Sequence, residues 1–143
     1  SWTEVGDLNR IVKEVMGVGA DNTAALAFGG ESPSGNDSRC ESWNGSSWTE
    51  INNLNTARYQ VEGTGSTSAG LVIGGYTTTG VGITEDWNGN NFTEVADLNT
   101  SRYGSGAAGT TIAGLTFGGN TGTVTAATEE WNSSSVTTKV LTD

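Results

Sequence analysis

The chain has no histidine, one cysteine (Cys40), one proline (Pro33) and one methionine (Met16) in 143 residues. Without histidine the commonest zinc ligand and the commonest general base are missing, and serine–histidine and cysteine–histidine catalysis are excluded. A single cysteine excludes an internal disulfide and a cysteine-built metal cage. Cations are scarce too: six basic residues against sixteen acidic ones give a net charge of −10. With no basic run to offset that charge, the chain repels phosphate backbones and anionic lipid, so neither nucleic acid nor a membrane surface is an expected partner. No apolar run approaches the ~20 residues of a membrane span, and no signal peptide is visible. Hydrophobic residues amount to only 34%, which predicts a shallow or distributed core.

What the chain has instead is glycine, 22 of them, together with threonine, serine and asparagine. These residues weaken helices and suit short strands joined by turns. They are also arranged periodically. ESWNGSSWTEINNLNTAR (41–58) returns as EDWNGNNFTEVADLNTSR (85–102), its first half returns as EEWNSSSVTTKVLTD (129–143), and its second half is foreshadowed by SWTEVGDLNR (1–10). Trp43, Trp87 and Trp131 recur at intervals of 44, and the glycine pairs Gly29–Gly30, Gly74–Gly75 and Gly118–Gly119 at 45 and 44. Trp2, Trp48, Phe92 and Val136 occupy one further equivalent position.

Each unit divides into four strand-like runs bounded by Gly, Asn and Ser, and no segment sustains a helical period. In the last unit these runs are 103–111, 112–119, 126–132 and 136–141. The first run is made of small residues, the second is apolar, and the third and fourth carry the aromatics and charges. Four antiparallel strands in a tandem repeat of this length are the sign of a β-propeller blade. A double glycine after strand two, an aromatic in strand three, an aromatic opening strand four, and then an arginine together resemble the kelch repeat. Those places are held here by Gly74–Gly75, Trp87, Trp48 and Phe92, and Arg58 and Arg102. The likeness is greatest to the Thr/Gly/Asn-rich kelch-like arrays of viral and bacterial proteins of marine type. It spans nearly the whole chain, with departures in the first unit, where Val12 and Lys13 stand in place of Arg58 and Tyr59, and in the last, where Val136 replaces the aromatic.

The expected organisation is therefore one all-β repeat array: residues 1–10 as the fourth strand of a preceding blade, then blades over 11–53, 54–97 and 98–143. Propellers close with four to eight blades, so three imply either further blades or association of copies. Two copies would supply six, and the strand at Trp2–Val5 would then complete a blade of the partner. A β-trefoil, also built from three repeats of this size, is the alternative fold.

The residues invite three functional readings. Trp43 and Trp48 flank an Asn-Gly turn as a cross-strand pair, worth roughly 0.2–1 kcal/mol. The second member changes to Phe92 and then Val136, so bulk persists rather than the stacking chemistry of a sugar platform. Glu41, Glu85 and Glu129 recur in every unit, whereas a glycosidase pair needs two different environments at one place; a rim role, pairing with Arg58 or Arg102 or facing solvent, is expected. The glycine pairs lack the Lys-Ser/Thr of a phosphate loop, and no calcium-loop pattern exists, so no cofactor or metal is expected. On the face that kelch-like propellers use for partners, Tyr76, Arg58, Arg102, Asn55 and Asn99 are the candidate contact residues, in loops expected to vary between units. These features predict a non-enzymatic structural or adhesive module, outside a cell or on a virus particle, that binds a protein or copies of itself. A carbohydrate-binding lectin is the second reading and an enzyme the third.

Overall fold

Each repeat builds its own sheet by pairing every long strand with the next one along the chain. The structure is a computed structural model that describes residues 1–133. In the first unit β1 (Met16–Asp21), β2 (Ala24–Phe28), β5 (Cys40–Trp43) and β6 (Trp48–Ile51) form a four-stranded antiparallel meander. The short strands β3 (Glu31–Ser32) and β4 (Gly35–Asn36) make a small hairpin in the loop between β2 and β5. The second unit repeats the meander as β7 (Glu62–Gly65), β8 (Gly70–Ile73), β9 (Thr84–Trp87) and β10 (Phe92–Glu94). The third contributes β11 (Gly106–Gly109), β12 (Ala113–Phe117) and β13 (Thr128–Asn132). Its expected fourth strand, with Val136, lies outside the described residues.

The fold is therefore all-β, with no helix among the described residues and none long and apolar enough to cross a membrane. Among the described residues every strand pairing falls within one unit. A trefoil needs pairing between its repeats, so the sheets argue against that alternative. Residues 1–8, which repeat the sequence leading through β6, form no strand here, and Trp2 is fully exposed.

Strand alternation gives each sheet two unlike faces. The front of the first sheet carries Val18, Leu26, Phe28 and Cys40, and it packs on the back of the second, which carries Gly63, Val72 and Trp87. The small residues of the inner strands make this approach possible: a methyl at Gly63 would lie 2.7 Å from the Phe28 ring. The second sheet's front meets the third sheet in the same way, with the Leu71 Cδ1 atom 3.6 Å from where a Gly114 Cβ would be.

The glycine pairs close the second strand of each unit, and both members are left-handed, with φ of 60° at Gly74 and 115° at Gly75. Their amides serve the turn. Gly74 N–H donates to the Ile83 carbonyl and Gly75 N–H to the Arg102 carbonyl of the next unit, each at 2.9 Å. A methyl at Gly74 would sit 2.6 Å from that Arg102 oxygen. Gly74→Ala is expected to cost ~2–4 kcal/mol, the sum of left-handed strain and backbone displacement. Gly122→Ala, left-handed but with nothing within 4 Å, should cost only the conformational part of ~1–2 kcal/mol. Denaturant midpoints of the two variants measure the difference.

Candidate functional site

Two groups of side chains stand out at the end of the sheets where the glycine pairs lie. The first is a polar clamp repeated in each unit. Glu85, on β9, is fully buried and accepts Asn55 N–H and Asn55 Nδ2, both at 2.8 Å, together with Thr56 N–H. The Arg58 guanidinium closes the clamp: Nη1 donates to Glu85, and Nε donates to the Gly74 carbonyl at 2.9 Å. In the third unit Asn99 and Thr100 bind Glu129 in the same way, and Arg102 donates to Glu129 at 2.6 Å and to the Gly118 carbonyl at 3.1 Å.

The first unit assembles the same clamp from a different spacing. Asn9 donates twice to Glu41 at 2.8 Å, and Arg10 reaches Glu41 at 3.1 Å and the Gly29 carbonyl at 2.8 Å. Arg10 thus replaces Arg58 although Val12 occupies the aligned position. Leu8-Asn9-Arg10 against Leu54-Asn55-Thr56-Ala57-Arg58 is a two-residue deletion, and Leu-Asn was the signal that identifies it. The shorter link has a cost in satisfaction: Arg10 Nη2 is buried without a hydrogen-bond partner.

The recurring glutamates do pair with arginine, Glu85 with Arg58 and Glu129 with Arg102, but not at a solvent-facing rim. The side chains of Glu41 and Glu85 are 1% and 0% exposed and sit between the link and the sheet, while only their cross-strand neighbours Glu50 and Glu94 face water. Arg58 and Arg102 are buried as well, and the amides of Asn55 and Asn99 are engaged by the carboxylates. The tryptophans also have fixed tasks. The indole N–H groups of Trp43, Trp87 and Trp131 donate to Asn22, Thr67 and Thr111 carbonyls at 2.9, 3.0 and 2.9 Å, capping the first hairpin of their own sheets. The Trp43–Trp48 and Trp87–Phe92 rings pack tilted, with centroids 5.4 and 4.7 Å apart.

The second group is an aromatic band around Tyr76. A two-residue bridge follows each glycine pair: Lys13 with Glu31, Tyr59 with Tyr76, and Tyr103 with Asn120. Tyr76 packs on Tyr59 at 5.3 Å and meets Tyr103 of the next unit edge-on at 4.9 Å. All three rings are half-buried. At the band's end Lys13 and Glu31 form an exposed ion pair at 2.8 Å, and hydrogen bonding to Glu31 raises the Lys13 pKa. Burial, then the Glu31 carboxylate, pushes the Tyr59 hydroxyl upward. Tyr59 and Tyr103 had no special mark in the sequence beyond following arginine; the bridges are what bring them to Tyr76.

The loops after the second and third glycine pairs share one turn, whereas the first unit's loop forms the β3–β4 hairpin, so the expected variation is confined to the first unit. Tyr76 bridges Gly80 and Asn120 bridges Val124, while Thr77 and Thr121 N–H groups donate to Thr79 and Thr123 carbonyls, both at 3.0 Å. Backbone closure at these two glycine pairs imposes one turn on different residues.

One carboxyl stands outside the clamps. Glu62, on the second sheet's front, is buried, and desolvation lifts its pKa to about 7. Such a shift marks catalytic acids in some proteins, but here the neighbours on its face are Ile73 and Thr84, and no group of three metal-ligating side chains exists among the described residues. Comparison with protein-family models and with curated proteins gives no match.

Removing one partner from a buried ion pair leaves an uncompensated charge. Glu85→Ala should therefore cost ~3–5 kcal/mol, and Glu129→Ala less, because the Glu129 side chain is 14% exposed and Glu85 is not; chemical denaturation ranks them. Glu62 gives a pH signature of known sign. Its folded form holds the proton more tightly than the unfolded chain, so its contribution is fully present below the ordinary 4.5 and is lost as pH rises through about 7. Glu62→Gln should abolish that decline and raise the melting temperature at pH 8 by ~3 °C or more, read by thermal melts across the pH range.

Proposed function

We propose that the chain is a non-enzymatic structural or adhesive module built of kelch-like propeller blades, working outside a cell or as part of a virus particle. It would present the loop face around Tyr76 to a protein partner, or pack against copies of itself or further blades. The observation that carries this reading is the expenditure of the recurring charged residues. Glu41, Glu85 and Glu129 each bind an asparagine and an arginine of the link that precedes their sheet, so the chemistry repeated most faithfully is framework chemistry. The sheet order supports the blade reading, since each unit is a meander whose first strand is rich in glycine and alanine. The extracellular or virion setting rests on the composition and on the kelch-like resemblance.

A lectin remains the second reading, and the Tyr59–Tyr76–Tyr103 band favours it. Half-exposed rings beside Asn120 and the Lys13–Glu31 pair combine apolar faces with polar groups. An immobilised glycan array separates the two. The structural module is expected to retain no sugar above background. Saturable retention that disappears in Tyr76→Ala would move the assignment to the lectin.

A further inference from the structure

The first and third sheets each leave part of one face open, around Gly17 and Gly19 on the first and around Ala108 and Phe117 on the third, and these parts match the interfaces already present within the chain. Phe28 on the first sheet's front is 2% exposed and Ile73 on the second's is 4% exposed, whereas Phe117, at the equivalent place on the third, is 43% exposed. On the receiving side, Gly63 meets Phe28, Ala107 holds the equivalent strand position on the third sheet, and the equivalent Gly17 on the first sheet is exposed. By strand equivalence the sizes are correlated: phenylalanine on the first sheet corresponds to glycine on the second, isoleucine on the second to alanine on the third, and the remaining phenylalanine to the remaining glycine. A methyl at Gly63 would stand 2.7 Å from the Phe28 ring, so the larger ring requires the bare backbone.

The backbone is matched as well. Gly30 N–H donates to the Arg58 carbonyl at 3.0 Å and Gly75 N–H to the Arg102 carbonyl at 2.9 Å. Among the described residues, Gly119 N–H has no such acceptor and the Arg10 carbonyl no such donor. We propose that Phe117 and Gly119 of one copy receive Gly17 and Arg10 of a second copy, and that two chains close head to tail through two such contacts. Two sets of three units give six, a usual number for a closed ring, and a twofold axis leaves neither face open. The inference rests on the propeller reading and adds the partner and the mating residues to it.

Sedimentation velocity of the 143-residue chain should give the mass of two copies. Phe117→Asp should weaken that association about tenfold or more, as for a buried aromatic anchor, with an unchanged far-ultraviolet circular dichroism spectrum. A covalent test is independent of that variant. Within the chain, Val18 Cγ2 lies 3.8 Å from the Gly70 Cβ position; Ala108 and Ala25 are the equivalents on the two open faces. Oxidised Ala25→Cys/Ala108→Cys should run as a cross-linked dimer, and neither single variant should. Cys40 does not compete, being buried with its thiol pushed up to about 12. A single-copy mass at every concentration, or a dimer that ignores Phe117→Asp and fails to cross-link, overturns the proposal. Amide exchange tells whether the propeller reading falls with it. Protection at Gly30 and Gly75 in a monomer keeps the stacked units and removes only the second copy; loss of protection there removes both.

Discussion

The structure depends on one buried arginine per unit, held between a link and two sheets. Arg58 shows the arrangement in full. Its side chain satisfies Glu85 and the Gly74 carbonyl of its own sheet, while its backbone oxygen accepts Gly30 N–H of the preceding one. One residue thus fixes the register of a unit and its distance from its neighbour. A buried ion pair seldom adds much net stability over a hydrophobic equivalent, because desolvation offsets the Coulomb gain. Its value here is directional. Glu85 accepts four hydrogen bonds from three residues in a geometry that a leucine cluster of similar volume would not specify.

That polar framework explains how a chain with 34% hydrophobic residues forms an ordered stack. Apolar side chains such as Leu26, Phe28, Val72 and Trp87 concentrate in thin layers between sheets, and at the glycine pairs the clamps hold the links. The clamps also change the electrostatics. Arg10, Arg58 and Arg102 are buried in them, Arg39 pairs with Asp37 and Lys13 with Glu31. Few cations therefore remain free at the surface beside its carboxylates.

The repeat made the fold readable at the level of strands. Period-two patterns and Asn-Gly turns placed the hairpin from Trp43 to Trp48 and the pairing of Trp87 with Phe92, both of which the sheets contain. Burial was harder to read. A glutamate two residues before a tryptophan looks solvent-facing because its donors lie some thirty residues away, and only folding brings Asn55 and Arg58 to Glu85. Arg10 escaped position-by-position alignment because a link two residues shorter can still deliver a long, flexible side chain to the same carboxylate. The loops after the second and third glycine pairs differ in residues but share their backbone hydrogen bonds, whereas the first unit's loop, one residue longer, forms the β3–β4 hairpin instead. Tyr76 was singled out by type and place, yet the band it belongs to is a product of tertiary bridges.

Charge and packing make opposite demands on any association of this chain with itself. Each copy carries a net −10, and like-charged surfaces repel over roughly the Debye length, about 8 Å at physiological salt. Attraction must come from faces where short-range packing outweighs that repulsion. The inner strands of the outer sheets offer such faces: Gly17, Gly19 and Ala25 at one end, Leu115 and Phe117 at the other, none of them charged. Acidic groups such as Glu50, Glu94 and Glu130 lie instead on the third and fourth strands. Small and apolar residues come first along most of the strand order and acidic ones last; Glu62 on β7 is the exception, a buried carboxyl on the face that meets the third sheet, where desolvation lifts its pKa to about 7. The same gradient that lets neighbouring sheets stack within one chain therefore leaves its two ends able to approach each other.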